Sequence, residues 1–346
     1  MKNYLDENTK NLDYELLTTK QTADSHRMIR SIIDNIETVI AGKREVVELT
    51  VLCLIAGGHV LIEDIPGVGK TSLVRALAKS IDCRYNRIQF TPDVMPSDVS
   101  GFSIYNQKSG EFEFRPGAAM SNIVLADEIN RASAKTQSAM LEIMEERQVT
   151  VDSHTYKMEQ PYMVLATQNP IEALGTYQLP EAQIDRFMIK LSLGYPAYED
   201  EIKIVMKGEA AKQTISPVVT GNDVRELLQI CRQVLCTKLV ASYIVSIVEA
   251  TRNHPDIKLG SSPRGSIALY KLSRAYALAR GRNYVLPDDI KYLAPYVLGH
   301  RIILTNAAKN EKKTAVDIIS GIIRHTAVPV EPNRQESYNE KSVCAS

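Results

Sequence analysis

Short apolar runs alternate with longer helical patterns through the first half of the chain. Four runs have the length and composition of buried strands: HVLIED, NIVLADE, PYMVLATQNP and DRFMIKLSL. Apolar residues recur at helical spacing between them, as in SLVRALAKS and SAKTQSAMLEIMEER, and earlier from about Ser31 to Ala56. Strands that are apolar on both faces and separated by helices are typical of a parallel sheet covered by helices on both sides. The pattern therefore predicts an α/β fold with a parallel sheet.

Two segments depart from that pattern. Residues 101–117, GFSIYNQKSGEFEFRPG, and residues 147–160, RQVTVDSHTYKMEQ, alternate apolar and polar residues around a turn signal, so both are predicted to be inserted β-hairpins. After Pro196 the strand patterns end, and residues 198–326 are predicted to be helical throughout. We therefore expect a polar lead-in over residues 1–29, an α/β core over 30–197, an all-α domain over 198–328 and a disordered tail over 329–346.

The 346 residues include 41 basic and 41 acidic side chains, so the formal net charge is zero. This balance argues against a protein that binds nucleic acid over a large surface, because such domains are usually basic. No apolar run reaches the length that spans a bilayer, and the N-terminal segment lacks the apolar core of a signal peptide. The five cysteines form no C-x-x-C pair, which favours reduced thiols over a metal site. We therefore expect a cytoplasmic protein without a membrane span.

The sequence EDIPGVGKTS lies between a predicted strand and a predicted helix, as a phosphate-binding loop does. Gly67 and Gly69 allow successive backbone N–H groups to point into one anion-sized hollow. Lys70 is expected to reach the β- and γ-phosphates of a nucleotide, and the Thr71 hydroxyl to bind Mg²⁺. The pattern usually begins with glycine where this chain has Asp64, but no donor is lost at that outermost position. The alternative is an ordinary turn between a strand and a helix.

Candidate catalytic groups follow the next two buried strands. In NIVLADEIN, Asp127 is placed to hold Mg²⁺ directly or through water, and Glu128 to deprotonate the attacking water. Asn169, in ATQNP, could hold the water or the γ-phosphate, because ligands bind at the carboxyl edge of such sheets. Two local explanations stay open: adjacent acids can cap a helix, and an Asn-Pro pair can form a turn. His59, beside the first strand, is interpreted as a packed or capping histidine.

Taken in order, IPGVGKT, LADEINRA, LEIMEERQVTV, ATQNPIE, GTYQLPEAQIDRF and SPRG resemble the MoxR family of AAA+ ATPases. The resemblance covers about residues 30–325 and implies an AAA+ core followed by a helical lid. It implies that Asn169 is the sensor 1 residue and that Arg186 is an arginine finger acting on a neighbouring subunit's ATP. It also implies that Arg264 is the sensor 2 residue, projecting from the lid onto the γ-phosphate, and that the AGK turn at 41–43 flanks the adenine. The expected nucleotide-binding residues are Ala41, Gly42, Pro66, Gly67, Val68, Gly69, Lys70, Thr71 and Ser72.

Local roles stay open for the basic residues. Arg186 could form a salt bridge with Asp185 or Glu181. Arg264 could be a solvated cation at a helix start, although a cation is electrostatically disfavoured there. Arg131, just after the acidic pair, could sense a neighbouring subunit or pair locally.

The resemblance implies an ATPase that uses ATP and Mg²⁺ as a homo-oligomer, expected to be a hexameric ring. The two hairpins then correspond to insertions that face the ring pore. The work implied is chaperone-like remodelling or activation of client proteins, often with a partner that carries a von Willebrand factor A domain. Two alternatives stay open: a DNA-acting AAA+ motor and a nucleotide-gated scaffold with negligible hydrolysis. Neither hairpin is rich in Lys and Arg, as a surface that follows phosphates should be, so nucleic acid is not the expected partner.

Overall fold

A computed structural model describes residues 17–40, 42–65, 67–169, 177–207 and 215–328. The strands are β1 (Val60–Glu63), β2 (Tyr85–Gln89), β3 (Gly101–Asn106), β4 (Glu111–Pro116), β5 (Ile123–Asp127), β6 (Gln148–Val151), β7 (His154–Lys157), β8 (Met163–Gln168), β9 (Ile189–Leu191), β10 (Ile257–Leu259) and β11 (Ile303–Leu304). The α-helices are α1 (Thr19–Glu37), α2 (Arg44–Ile55), α3 (Lys70–Ser80), α4 (Pro96–Ser100), α5 (Ala134–Glu146), α6 (Glu181–Ile184), α7 (Tyr198–Lys207), α8 (Gly221–Cys231), α9 (Lys238–Arg252), α10 (Pro263–Ala279), α11 (Pro287–Leu298), α12 (Asn306–Asn310) and α13 (Ala315–His325).

Five parallel strands form the central sheet in the order β2-β5-β8-β1-β9. The three middle strands are almost entirely buried, as expected for strands covered on both faces. The predicted parallel α/β sheet is therefore confirmed. Because the strands are parallel, the residues that follow β1, β5 and β8 meet at one edge, called here the carboxyl edge. The residues that lead into β1, β8 and β9 meet at the opposite edge, called the amino edge.

Both predicted hairpins are present. Strand β3 pairs antiparallel with β4, and β6 pairs antiparallel with β7. The ring of Phe114 on β4 stacks on that of Tyr156 on β7, with the ring centroids 3.9 Å apart. The two hairpins therefore contact each other through their aromatic side chains.

Helices α7 to α13 form the lid, which packs against the core. One cluster of buried apolar residues includes Ile62 and Leu73 of the core together with Leu269 and Leu293 of the lid. Within the lid, β10 pairs antiparallel with β11. The prediction that residues 198–326 are helical throughout is therefore wrong at these two short strands, which are too brief to give an alternating pattern.

The lead-in predicted over residues 1–29 is too long, because α1 begins at Thr19. Its N-cap is Thr18, whose hydroxyl accepts a hydrogen bond from the backbone N–H of Gln21 at 3.2 Å. The buried face of the first turns carries Thr22 and Ser25 instead of large apolar side chains, so the apolar pattern is hidden there. The predicted tail at 329–346 lies outside the described residues. No helix of the described ranges is long and apolar enough to cross a membrane.

Candidate active site

The phosphate loop connects β1 to α3 at the carboxyl edge. Gly67 and Gly69 have φ angles of +87° and +95°, in the left-handed region that favours glycine. Helix α3 begins at Lys70, so its first N–H groups, which have no partner within the helix, lie at the loop. The Lys70 ammonium donates a hydrogen bond across the loop to the carbonyl oxygen of Asp64, at 3.2 Å. This strand-loop-helix arrangement can bind an anion such as a nucleotide phosphate.

The other predicted nucleotide residues surround that loop. Val68 packs partly against the core, Thr71 is half-buried and Ser72 is exposed. Gly42 has a φ of +72° and approaches the Asp200 carboxylate so closely that no side chain would fit between them. The AGK turn therefore lies next to the start of the lid at α7. Two further predicted positions, Ala41 and Pro66, lie outside the described residues.

Asp64, which replaces the usual first glycine, binds the chain segment that leads into the lid. Its buried carboxylate accepts hydrogen bonds from the Ser192 hydroxyl at 3.1 Å, from the Leu193 N–H and from the Gly194 N–H at 3.2 Å. The carboxylate therefore ties the phosphate loop to the connection between core and lid. Sequence reasoning missed this contact because Ser192 lies 128 residues further along the chain.

Asp127 ends β5 at the same edge and is buried. Its Oδ1 accepts a hydrogen bond from the Thr167 hydroxyl at 2.6 Å. Its Oδ2 accepts two from Arg87, at 2.6 Å and 3.1 Å. A metal ion bound by Asp127 must therefore displace Arg87 or reach the carboxylate through water.

Glu128 follows with a φ of +55°, which turns the chain out of the strand. Its Oε2 accepts hydrogen bonds from Gln89 Nε2 at 2.9 Å and from Arg131 Nη1 at 3.1 Å. Arg131 thus makes the local ion pair that was one of its two alternatives. Helix α5 is capped by the Ser133 hydroxyl, so the acidic pair is not the cap of that helix. The Glu128 carboxylate is free of a structural capping role and lies at the ligand-binding edge.

Sequence reasoning missed Arg87 and Gln89 because it missed β2. These residues are two apart on an edge strand, so they point to one face, while Ile88 between them is buried. YNRIQ has a single aliphatic residue and no regular alternation, so its hydrophobic pattern does not identify a strand. Strand β2 supplies the polar side chains that hold both acids.

Asn169 comes directly after β8 and is buried. Strand β8 lies between β1 and β5 in the sheet. Asn169 therefore lies at the carboxyl edge between the phosphate loop and the acidic pair, where a sensor of nucleotide or water is expected.

The two predicted catalytic arginines lie at the amino edge instead. Arg186 precedes β9, whose Ile189 pairs with Val60 at the start of β1. Arg264 occupies the second position of α10. Both guanidinium groups contact Glu145 on α5: Arg186 Nε lies 3.0 Å from Oε2, and Arg264 Nη2 pairs with Oε1. About 13 Å of strand separates the two edges, taking four residues at the usual rise.

Lid contacts fix this arrangement at the amino edge. Arg186 pairs with neither of the two acids considered from the sequence; Asp185 instead accepts hydrogen bonds from the Ser262 hydroxyl at 2.8 Å and from Arg301 Nε at 2.9 Å. Burial lowers the pKa of Arg301 to about 10, although Asp185 raises it, so the guanidinium stays charged at neutral pH. The expectation that Arg264 reaches the γ-phosphate is not met within one chain, because the lid holds this arginine at the edge opposite its own loop.

The side chains at the carboxyl edge suit a metal ion that binds together with a nucleotide. Among the described residues, no group of three or more His, Cys, Asp or Glu side chains is placed to hold a metal ion. Mg²⁺ keeps several waters and is commonly bound through one or two carboxylates together with substrate phosphates. The buried Asp127 carboxylate and the Thr71 hydroxyl fit that sparse requirement.

Comparison with known families agrees with this division into core and lid. Residues 59–189 match the model of the ATPase family associated with various cellular activities (AAA), and residues 249–322 match that of the AAA lid domain. The first match spans the phosphate loop, the acidic pair and Arg186; the second falls within the lid. The fold is that of an AAA+ ATPase core with its lid.

Relatives that match along most of the chain identify the family within the AAA+ ATPases. The chain is 52% identical over 310 residues to the uncharacterized protein YeaC of Bacillus subtilis, covering 89% of this chain and 97% of that protein. It is 39% identical over 316 residues to Chaperone MoxR1 of Mycobacterium tuberculosis, covering 89% and 84% of the two chains. A crystal structure from Cytophaga hutchinsonii, described as a candidate ATPase, matches with a TM-score of 0.83 and 39% identity over 90% of this chain and 98% of that one. The chain belongs to the MoxR family of AAA+ ATPases.

Proposed function

We propose that this protein hydrolyses ATP at sites shared between neighbouring subunits of a ring and uses that hydrolysis to remodel or activate client proteins. One observation carries the proposal. The phosphate loop and acidic pair lie at the carboxyl edge of the sheet, whereas Arg186 and Arg264 lie at the amino edge. Within one chain the two groups are too far apart to act on one phosphate, so a complete site requires a second copy.

The carboxyl edge supplies the half of the site that binds the nucleotide and activates the attacking water. The loop N–H groups and Lys70 hold the phosphates, and Asp127 with Thr71 holds Mg²⁺, which neutralises charge on the β- and γ-phosphates. Glu128 accepts a proton from the attacking water, once its carboxylate exchanges Gln89 or Arg131 for that water. Asn169 orients the water or the γ-phosphate.

The amino edge supplies the half that acts on the neighbour. A guanidinium group stays charged at every relevant pH, and its planar fork matches the oxygens of a transferring phosphoryl group. Arg186 and Arg264 therefore stabilise the charge that develops on the γ-phosphate of the adjacent subunit. Such an arginine contributes about 10³–10⁵ in rate in enzymes of this kind. A heterologous contact gives a ring when its rotation closes, and we propose a ring of six copies on the strength of the family.

The first hairpin favours protein clients. Its exposed apolar residues are Phe102, Ile104, Tyr105 and Phe112, with exposures from 43% to 74%. Phe102 and Ile104 share one face of the hairpin, and the paired Tyr105 and Phe112 share the other. Exposed apolar surface of this kind suits an unfolded or extended polypeptide, since such surface on a soluble protein commonly marks a binding site. A cytoplasmic location and a partner with a von Willebrand factor A domain belong to the same proposal, through the family resemblance.

Two alternatives make different predictions. A DNA-acting motor requires binding that weakens steeply with salt, and the charges of the first hairpin, Lys108 and Arg115 against Glu111 and Glu113, do not favour it. A nucleotide-gated scaffold requires ATP binding without turnover. That alternative gives no catalytic role to Glu128 or to the paired Arg186 and Arg264.

The test is to mix two inactive variants. Lys70→Ala removes phosphate binding but keeps the arginines, and Arg186→Ala keeps the phosphate loop but removes one arginine. Each alone is expected to lack ATPase activity, while an equimolar mixture recovers roughly a quarter of the wild-type rate if the subunits assemble at random around a ring. The rate is measured by phosphate release against protein concentration.

The matched control mixes Lys70→Ala with Glu128→Gln. Both changes damage the same half of the site, so this mixture is expected to stay inactive. Recovery in neither mixture, with a wild-type rate that does not depend on dilution, would show that each subunit hydrolyses ATP alone. That result would overturn the shared site.

A further inference from the structure

Glu145 contacts both arginines of the amino edge at once. Its Oε2 lies 3.0 Å from Arg186 Nε, and its Oε1 pairs with Arg264 Nη2. The three side chains are partly exposed, at 36% for Glu145, 28% for Arg186 and 46% for Arg264. One carboxylate thus bridges two cations that come from different parts of the fold, since Arg186 precedes β9 in the core and Arg264 belongs to α10 of the lid.

Two guanidinium groups this close repel each other unless an anion lies between them. The bridging carboxylate offsets that repulsion, because one of its oxygens accepts a hydrogen bond from Arg264 and the other makes an ion pair with Arg186. Side-chain entropy would otherwise spread both long side chains over many rotamers. The bridge therefore converts two mobile cations into a pair with a defined geometry.

The contact leaves the phosphate-binding ends of the pair available. The closest approach of Glu145 to Arg186 is at Nε, which lies within ion-pair distance but makes no hydrogen bond, and neither terminal nitrogen of that guanidinium donates a hydrogen bond to Glu145. Glu145 takes a single terminal nitrogen of Arg264. Since a guanidinium has five N–H donors, each arginine keeps donors for a phosphate while it is held by the carboxylate. A carboxylate that blocked the pair would instead occupy the terminal fork of Arg186.

Helix α5 holds Glu145 in place from both ends. Near its start, the buried Gln137 side chain donates hydrogen bonds to the carbonyl oxygens of Ile129 and Ala132, in the turn that follows the acidic pair. Near its end, the carbonyl oxygen of Met144 accepts a hydrogen bond from His59 Nε2 at 2.9 Å. Glu145 is therefore fixed by a helix that spans the core between the acidic pair and the amino edge.

We propose that Glu145 is a positioning residue that presents Arg186 and Arg264 as a pair to the nucleotide of the neighbouring subunit. The inference rests on the shared site proposed above. It adds that Glu145 orients Arg186 and Arg264 before the subunits assemble. Glu145 itself does not contact the nucleotide of its own chain.

The first test replaces Glu145 by glutamine, which has the same shape without the charge. Glu145→Gln is expected to lower kcat by about 10–100-fold, the scale of a misplaced catalytic group, while the affinity for ATP stays at the wild-type value. Glu145→Asp keeps the charge and is expected to recover part of the lost rate. Glu226→Gln, at an exposed position of α8, is the matched control and is expected to leave kcat unchanged.

The second test asks which half of the shared site Glu145 serves. Lys70→Ala subunits carry intact arginines, so mixing them with Glu145→Gln is expected to raise the ATPase rate above that of either variant alone. Arg186→Ala subunits lack an intact donor half, so mixing them with Glu145→Gln is expected to give no gain. A merely destabilising change would not distinguish the two mixtures.

The outcomes separate this inference from the proposed function. If the Lys70→Ala and Arg186→Ala mixture recovers activity while Glu145→Gln turns over at the wild-type rate, the shared site stands and the role of Glu145 is wrong. A rate that rises in Glu145→Gln would also overturn it, because the carboxylate would then restrain the arginines instead of presenting them. If no mixture recovers activity, the shared site itself fails.

Discussion

The two edges of the central sheet are organised in different ways. At the carboxyl edge, side chains from several strands bind one another closely: Asp127 is held by Thr167 and Arg87, and Glu128 by Gln89. At the amino edge, the two arginines point outward from a single shared carboxylate and are partly exposed. In the shared site proposed above, the first edge encloses the chain's own nucleotide and the second contacts the nucleotide of a neighbouring subunit.

The proposed shared site would couple hydrolysis to assembly. In that proposal each chain carries a phosphate-binding half and an arginine-donating half at opposite ends of the same strands. Since the lid is docked on the amino edge through Asp185, a change in lid position also moves Arg264 relative to Arg186. The state of one nucleotide can thus affect the arginines presented to the next subunit.

The largest effect is expected at the carboxyl edge, from Glu128→Gln. Loss of the proposed general base should lower kcat by about 10²–10⁴-fold, whereas ATP binding should remain, because the phosphate loop is untouched. Measured ATP affinity and single-turnover hydrolysis together separate the two effects.

The neighbouring Asp127 offers a contrast to that variant. Asp127→Asn is expected to raise the Mg²⁺ concentration that gives half of the maximal hydrolysis rate. Glu128→Gln should leave that concentration unaltered. If Glu128→Gln hydrolyses ATP at the wild-type rate, the general base is another residue. The carboxyl edge would then no longer be distinguished by supplying that base.

A smaller effect is expected where the carboxyl edge joins the lid. Asp64→Ala leaves the Ser192 hydroxyl and the Leu193 and Gly194 N–H groups without their acceptor, which should cost about 3 kcal/mol of unfolding free energy. Urea unfolding without nucleotide measures it. Asp64→Asn keeps one acceptor oxygen and should lose less. Equal stability of wild type and both variants would mean that the connection to the lid does not depend on this carboxylate.

The carboxyl edge was largely predictable from the sequence, and the amino edge was not. Loop glycines, Lys70 and the acidic pair are close together in the chain or follow recognisable strands, so local pattern indicates their chemistry. Arg186 and Arg264 were found by resemblance alone, and their shared partner Glu145 was not found at all. Their meeting depends on how the lid docks, which no local pattern encodes.

Asp64 and Arg87 show the same limit within the predictable half. The partners of Asp64 follow β9, far along the chain, and Arg87 lies on an edge strand with one buried residue. Hydrophobic pattern locates strands that are buried on both faces. It says little about polar contacts between strands, because those depend on the order of the strands in the sheet.

His59 lies at the amino edge, directly before β1. Its Nε2 donates to the carbonyl oxygen of Met144, beside Glu145, and its Nδ1 accepts from the N–H of Val164 at 3.0 Å. Both ring nitrogens are thus used by a neutral ring, which agrees with the packed histidine expected from the sequence. Burial lowers the pKa of His59 to about 4; the Met144 carbonyl opposes that shift and the charge of Arg147 adds to it.

The smallest expected effect follows from that pKa. The unfolded chain binds a proton at this histidine near pH 6.5, whereas the folded chain does so only near pH 4, so stability is full above pH 6.5 and falls as the pH drops towards 4. Between pH 7 and pH 5 the loss from His59 should be about 2 kcal/mol. His59→Gln should flatten this part of the pH dependence of urea unfolding, while His154→Gln, at the exposed second hairpin, should not. If both variants keep the wild-type slope, the acid sensitivity does not come from His59, and the buried His300, whose pKa burial also lowers, becomes the next group to test.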